Sequence, residues 1–231
     1  MKLLAMDTST SAITVAIHDG TVVLAERSVI DARAHTEHLA PLITQILSEA
    51  GLAPGDLTDV AVGVGPGPFT GLRVGLVTAR TFAHALDIPV HGVVSLDALA
   101  HEAMSSERLD DGDELVVATD ARRKEVYVAR YAVASGAVLR ITEPAVTYPA
   151  DVPETFRALP AVGRGAVLYP ETFPTRVGPL DVSAGALAEV AVAQVAAGVE
   201  VGLDALYLRR PDATPSAVSK STVMAPRGAK R

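Results

Sequence analysis

The sequence predicts an α/β protein of two lobes, and three observations support that prediction. Hydrophobic residues make up 49% of the 231 residues, which is enough for a sizeable core. Strand-like and helix-like runs alternate through the first half of the chain. The polar, turn-rich segment 110–113 then separates that half from a second apolar region. The predicted units are a first lobe over 1–109, a smaller second lobe over 110–210 and a basic, flexible tail over 211–231.

The predicted elements of the first lobe follow a recognisable order. Three strands come first, joined by a Ser/Thr-rich turn and by the hairpin signal Asp19-Gly20. A helix follows, in which apolar residues recur at three- and four-residue spacings until Gly51. Strand, helix, strand and helix complete a pattern typical of a ribonuclease-H-like lobe. In chain order the predicted ranges are 2–6, 12–18, 22–28, 37–50, 60–64, 70–86, 90–94 and 95–105.

The second lobe is less regular in sequence. A hairpin is predicted over 115–119 and 125–131, with a charged tip formed by Asp120 to Lys124. Irregular, Pro-rich sequence follows over 143–179, and a helix is predicted over 183–197.

Composition narrows the function classes. The formal charge of −7 argues against autonomous nucleic-acid binding, which depends on cationic contacts to phosphate. Zero cysteines exclude disulfides, thiolate catalysis and Cys-ligated zinc. The apolar runs are too short for a membrane span, and a charge arrives too early for a signal peptide. A cytoplasmic protein fits these features best. Beyond Asp212 the tail carries cations without an acid, a pattern typical of a solvated terminus.

The segment from Gly63 to Gly75 is the most informative part of the chain. It holds five glycines and two prolines in thirteen residues, between a predicted strand and a predicted helix. Glycine permits positive φ and close backbone approach, and proline fixes turns. Thr70 is predicted to cap the helix, whose free N–H groups could receive an anion or a partner's carboxylate. The lysine of a P-loop is missing, and the spacing fits a dinucleotide-binding loop poorly.

Three motifs together resemble a known family. The sequence GPGPFTGLR over 65–73, with MDTST over 6–10 and DARRKEVY over 120–127, is similar to the TsaB family of tRNA threonylcarbamoyladenosine biosynthesis proteins. The resemblance runs from Leu3 to Arg209. Family members usually carry serine in place of Pro68 and often Met-Gly in place of Arg123-Lys124. The resemblance implies a two-lobed actin-like ATPase (ribonuclease-H-like) fold with a reduced second lobe.

The resemblance also implies a function and partners. A TsaB-like chain would be a non-catalytic scaffold and activator that pairs with TsaD, helped by the ATPase TsaE, while threonylcarbamoyl is moved onto N6 of adenosine 37 of tRNA. It would contact tRNA only through that complex, form a homodimer in isolation and need no cofactor or metal of its own. Two alternatives stay open: a sensor that binds ADP or ATP at the partner interface, and a glycoprotease-like peptidase.

The catalytic relative TsaD carries two metal-binding histidines four residues apart at the start of its third helix. Ser95 and Leu99 occupy the matching positions here. A leucine cannot bind metal, so the resemblance implies that this chain has no catalytic residues. A second candidate metal pair, His35 and His38, stands at the start of the first helix without a carboxylate cluster to complete it.

The end of the first strand is the candidate nucleotide site. Actin-like ATPases place a metal-binding Asp there, and Asp7 stands at that position. Its alternative role is to cap a turn. The candidate nucleotide-binding residues are Asp7, Thr8, Gly65, Gly67 and Thr70.

The second predicted helix carries a ridge of small residues, Gly71, Gly75, Ala79 and Ala83. Such a ridge lets another helix approach closely. A helix that is apolar on two faces is either buried all round or shared between its own core and a partner. The resemblance favours sharing, because the TsaB family pairs through its first two helices. The predicted interface residues are Leu39, Leu42, Ile43, Ile46, Gly71, Leu72, Arg73, Gly75, Leu76, Ala79 and Ala83.

Overall fold

The computed structural model describes residues 1–31 and 34–209. These residues form ten strands and six α-helices around two five-stranded sheets. The predicted α/β class is confirmed, and the predicted basic tail over 211–231 lies outside the described residues. Among the described residues, no helix has the length and apolar character that crossing a membrane requires.

The first sheet has the predicted ribonuclease-H-like pattern. Its strand order is β3-β2-β1-β4-β5. The first three strands pair antiparallel, whereas β4 pairs parallel with β1 and β5 pairs parallel with β4. The parallel strands β1 and β4 therefore end at the same edge of the sheet, where the glycine-rich loop begins. The strands are β1 Leu3–Asp7, β2 Ala12–His18, β3 Val23–Ile30, β4 Asp59–Gly65 and β5 Val90–Val94.

Four helices cover this sheet. The first three are α1 His35–Glu49, α2 Phe69–Leu86 and α3 Ser95–Glu107, all close to the predicted ranges. Helix α1 ends as predicted, since Gly51 has φ +67 and Leu52 N–H donates to the Leu47 carbonyl at 2.9 Å, the geometry of a Schellman cap. Every residue of β1 and β2 is buried, so the centre of the sheet is covered on both faces.

The second lobe contains more short elements than the sequence predicts. Its sheet has the order β10-β6-β7-β8, and β9 also pairs with β7. The region over 143–179, predicted to be irregular, contains β9, β10 and two short helices, because elements of two to five residues are too short to show periodicity. The elements are β6 Glu114–Asp120, β7 Val126–Ala134, β8 Ala137–Arg140, β9 Ala145–Thr147, α4 Glu154–Arg157, β10 Ala161–Val162 and α5 Arg164–Leu168.

The last helix, α6 Ala184–Ala196, returns to the first lobe. It packs against β1, β2 and α3, and Ser183 caps it by accepting a hydrogen bond from Ala186 N–H at 3.1 Å. The Ser183 hydroxyl also donates to Glu26 of β3 at 2.8 Å. The structure therefore differs from the predicted second lobe over 110–210, because α6 belongs to the first lobe by packing.

One carboxyl oxygen on α3 lacks a hydrogen-bond partner. The Oε2 atom of Glu102 is buried without a partner among the described residues. Burial, together with the charges of Glu26 and Glu189, raises the pKa of Glu102 from 4.5 to about 7. Glu189 itself accepts a hydrogen bond from His101 Nε2 at 2.8 Å. Glu102 is therefore more easily protonated in the folded chain than in the unfolded chain.

This shift predicts a pH dependence of stability. The folded chain holds the Glu102 proton up to about pH 7 and the unfolded chain releases it near pH 4.5, so stability falls as pH rises through that window. Glu102→Gln removes the titration. We expect the variant's gain in melting temperature over wild type to grow from about pH 5 to about pH 8. The control Glu143→Gln alters a side chain that is 87% exposed, and it should show no such trend. A gain from Glu102→Gln that is equal at both pH values would contradict the assignment.

Candidate functional site

The glycine-rich loop links β4 to α2 at the edge where β1 also ends. It contains a cis peptide bond between Gly65 and Pro66. Helix α2 begins at Phe69, and Pro68 takes the N-cap position with an extended backbone and no side-chain cap. The prediction that Thr70 caps the helix is therefore wrong. Thr70 lies inside the first turn and is exposed, because the fixed φ of Pro68 starts the helix one residue earlier than expected.

Asp7 lies at the centre of a buried hydrogen-bond network. Its Oδ1 accepts from the backbone N–H and the hydroxyl of Ser9, both at 2.7 Å. Its Oδ2 accepts from the Ser95 hydroxyl at 2.6 Å, and that hydroxyl accepts from Gly65 N–H at 3.2 Å. Burial raises the pKa of Asp7, and the hydrogen bonds from Ser95 and Ser9 oppose that shift. The network joins β1, the glycine-rich loop and α3, so Asp7 acts here as an internal anchor.

Thr8 inserts its hydroxyl into the hydrogen-bond ladder of α2. The hydroxyl donates to the Gly71 carbonyl at 2.7 Å and accepts from Gly75 N–H at 3.1 Å, two groups that would pair with each other in a regular helix. A Cβ on Gly71 would lie 2.4 Å from the Thr8 carbonyl oxygen, and one on Gly75 would lie 2.5 Å from Thr8 Oγ1. Because Gly71 and Gly75 have no side chain, the end of β1 can approach α2 closely.

The small-residue ridge thus faces the chain's own core, which corrects the predicted interface. Of the predicted interface residues only Arg73 is exposed. Ile43 additionally lines a groove described below. The others pack inward, and their apolar character reflects this core. The buried members are Leu39, Leu42, Ile43, Ile46, Gly71, Leu72, Gly75, Leu76, Ala79 and Ala83.

The cleft between the lobes is nearly filled. Its volume is about 10 Å³, close to the space that a single water needs. Ser9, Thr10 and Ser11 line one side and Asp120, Arg122 and Arg164 the other. Two ion pairs, Arg164 with Asp181 and Arg122 with Asp120, occupy the second side.

The predicted nucleotide-binding residues are already committed to other contacts. A Cβ on Gly67 would lie 2.6 Å from the Ser9 carbonyl oxygen, and the Gly67 carbonyl accepts from the Tyr127 hydroxyl at 3.3 Å. Gly65 has φ +97, and Leu72 methyl groups lie 3.0 Å from where its Cβ would be. The structure brings Asp7, Thr8, Gly65 and Gly67 together, but against one another instead of around an open space. Thr70 is exposed outside this cluster.

The candidate metal-binding side chains lie in unlike surroundings. Ser95 is buried and bonded to Asp7, and Leu99 is fully buried in the core. His35 is buried, and burial lowers its pKa. The Nε2 atom of His38 lies 3.8 Å from Asp31 Oδ2. Among the described residues, no group of three or more His, Asp or Glu side chains is arranged to hold a metal ion.

An open groove between α1 and α2 is a feature that the sequence did not reveal. Its volume is about 490 Å³. Ile43 and Leu47 line the groove, and their side chains are otherwise buried in the core. The rim combines small or polar residues with Leu52 and Phe82, and no apolar periodicity marks such positions. The rim includes Ala40, Thr44, Ser48, Leu52, Thr78 and Phe82.

Helix α2 also carries exposed apolar side chains that do not line the groove. Val77 is 60% exposed and Phe69 is 53% exposed. Phe69 packs against Tyr207 with 5.0 Å between ring centroids, and the Arg73 guanidinium lies 4.8 Å above the Phe69 ring. Aromatic and arginine side chains of this kind are enriched at protein interfaces.

Comparison with known proteins identifies the family. The family model for TsaD, a tRNA N6-adenosine threonylcarbamoyltransferase, matches residues 27–206. An uncharacterized protein of Mycobacterium tuberculosis is 47% identical over 94% of this chain and 95% of that protein. TsaB of Escherichia coli is 37% identical over 57% of this chain and 55% of that protein. The chain belongs to the TsaD-related TsaB family. Its match spans about half the length of the E. coli relative.

A solved structure extends the likeness to the whole fold. YeaZ from Pseudomonas aeruginosa has a TM-score of 0.75 and 32% identity, covering 88% of this chain and 96% of that one. The structural likeness therefore covers more of this chain than the sequence match with E. coli TsaB does. This supports the TsaB assignment over nearly the full chain.

Proposed function

We propose that this chain is a non-catalytic scaffold subunit that pairs with TsaD in the formation of threonylcarbamoyladenosine on tRNA. Relatives named tRNA threonylcarbamoyladenosine biosynthesis protein support the pathway. The observation that carries the scaffold role is the arrangement of side chains at the catalytic positions. Hydrogen bonds join the Asp7 carboxylate to the Ser95 hydroxyl and the Thr8 hydroxyl to the backbone of α2. Leu99 is buried in the core. A substrate would find no free reactive group among them.

The open groove between α1 and α2 is the proposed TsaD surface. Isolated chains rarely leave a large groove lined by apolar side chains such as Ile43, Leu47 and Phe82, and such patches mark interaction sites. A helix of the partner laid into the groove would contact Phe82 and Thr78 on one side and Thr44 and Ala40 on the other. The predicted pairing through the first two helices is thus retained, but with the rim of the groove in place of the buried ridge.

Further partners follow from the same proposal. A homodimer would use the same groove, so TsaD and a second copy of this chain would compete for it. TsaE would assist the pair, and tRNA would be contacted only through the assembled complex in the cytoplasm.

The chain alone is expected to bind neither ADP nor ATP. A nucleotide needs a pocket of at least about 300 Å³, whereas the interlobe cleft measures about 10 Å³. Isothermal titration of ATP or ADP with magnesium into the purified chain should give no heat beyond dilution. A saturable signal at micromolar nucleotide would favour the sensor alternative.

Reconstitution tests the proposed function. TsaD and TsaE of the same organism should convert an unmodified tRNA transcript, with threonylcarbamoyl adenylate supplied, only slowly when this chain is omitted. Adding the chain should raise the rate, and Ser95→Ala should stimulate as well as wild type if the variant is folded. Equal rates with and without the chain, or stimulation that Ser95→Ala abolishes in a folded protein, would overturn the scaffold role.

A further inference from the structure

A further open cavity lies where the end of α3 meets the second lobe. Its volume is about 300 Å³, which falls within the range typical of small-molecule sites. Residues from α3, β10, α5 and the segment over 176–180 line it. It shares no residue with the groove between α1 and α2, and only Leu180 with the cleft between the lobes. We call this cavity, bounded by Glu107, Val167, Arg176 and Leu180, the α5 crevice.

Hydrogen bonds fix the backbone around the α5 crevice. Ala161 N–H donates to the Thr175 carbonyl at 2.8 Å, and Val177 N–H donates to the Ala161 carbonyl at 3.0 Å. Gly178 N–H donates to Glu107 Oε1 at 3.0 Å, which ties the same segment to the end of α3. The sides of the crevice are therefore positioned before a ligand arrives, and such preorganisation lowers the cost of binding.

Two side chains of opposite charge line the α5 crevice without pairing with each other. Arg176 is exposed, and its side chain forms no ion pair or hydrogen bond with the described residues. Glu107 uses Oε1 for Gly178 N–H, and its Oε2 forms no hydrogen bond with the described part of the chain. The guanidinium thus offers donors to a carboxylate, and Glu107 Oε2 offers an acceptor to an ammonium group.

The rest of the lining is uncharged and largely apolar. Val167 is 44% exposed and Leu180 is 42% exposed, so both present apolar surface to the crevice. A ligand with a carboxylate alone would meet the like charge of Glu107, and one with an amine alone would meet the like charge of Arg176. The lining therefore fits a ligand that carries both charges and an apolar group.

We propose that the α5 crevice binds a free amino acid with an apolar side chain. The ligand carboxylate pairs with Arg176, and the ligand ammonium group donates to Glu107 Oε2. The ligand side chain packs against Val167 and Leu180. This site goes beyond the scaffold role, since it involves neither TsaD nor the groove.

Titration of L-leucine into the isotope-labelled chain, followed by two-dimensional NMR, tests the proposal. The amide signals of Gly163, Val177 and Gly178 should shift saturably, with a dissociation constant of about 1 mM or tighter. Isocaproate lacks the ammonium group and leucinamide lacks the carboxylate, so each should bind more weakly by about tenfold or more. Free glycine lacks the apolar side chain and should also bind more weakly than L-leucine.

Two substitutions separate the charged contacts. Arg176→Gln should remove the preference for L-leucine over leucinamide, and Glu107→Gln should remove the preference for L-leucine over isocaproate. The amide introduced by Glu107→Gln keeps an acceptor for Gly178 N–H, so the backbone should stay in place. The control Arg108→Gln alters an exposed neighbour that does not line the crevice, and it should bind L-leucine as wild type does.

Three results would overturn the proposal. The first is the absence of a saturable shift with L-leucine. The second is wild-type affinity in both folded variants, because the ligand would then lie elsewhere. The third is isocaproate or leucinamide binding to wild type as tightly as L-leucine, because one of the two charged contacts would then be absent. The analogue series on wild type decides the assignment even if a variant fails to fold.

Discussion

Gly63→Ala is expected to destabilise this protein more than any other change of similar size. The added Cβ would lie 1.7 Å from Asp7 Oδ2 and 2.7 Å from the Ser95 hydroxyl. Asp7 is fully buried and already accepts three hydrogen bonds, so it cannot move without leaving polar atoms unpaired. We expect a loss of about 4 kcal/mol or more, which lowers the melting temperature by about 10 °C.

Gly55→Ala is the matched control for this prediction. A Cβ at Gly55 would meet nothing within 4 Å, so its melting temperature should stay close to wild type. Thermal unfolding followed by circular dichroism measures both variants. A Gly63→Ala protein that unfolds within about 2 °C of wild type, or less than 1 kcal/mol, would show that the Asp7 network is not rigid.

Thr44→Arg should have the largest effect on pairing with TsaD. Thr44 is exposed and lines the groove between α1 and α2, so the substitution should leave the isolated fold intact. In the complex it would place a long, charged side chain where the partner helix lies, and an unpaired charge buried at an interface is strongly unfavourable. We expect a loss of about 3 kcal/mol, or more than 100-fold in affinity, measured by calorimetric titration with TsaD.

The neighbouring position supplies the control. Gln45 is also exposed on α1, but it points away from the groove because successive helical residues are turned by about 100°. Gln45→Arg adds the same charge to the same helix and should bind TsaD as wild type does. Equal weakening by both variants would indicate a general charge effect, and no weakening by Thr44→Arg would move the interface away from the groove.

The sequence predicted the first lobe well because its signals are local. The strands and helices up to 107 lie within a few residues of their predicted ranges, since apolar periodicity and Gly51 mark them directly. The short elements between 143 and 179 lack such signals. The return of α6 to the first sheet depends on long-range packing, for example the bond of Ser183 to Glu26, which no local pattern encodes.

The candidate site was predicted only in part, and the errors have one physical cause. Small residues on α2 are compatible with a partner helix or with the chain's own backbone, and their spacing is the same in both cases. The hydrogen bonds of the Thr8 hydroxyl to Gly71 and Gly75 show that these glycines face the chain's own backbone. Conversely, the groove beside Thr44 and Thr78 is created by the separation of two helices, which residue types alone do not show.

Sedimentation velocity of this chain mixed with TsaD of the same organism tests the central claim most directly. Wild-type chain and TsaD at equal micromolar concentrations should sediment as a 1:1 complex. The Thr44→Arg variant and TsaD should sediment as two separate species, whereas the control variant Gln45→Arg should form the complex as wild type does. Separate sedimentation of wild-type chain and TsaD at these concentrations would contradict the account.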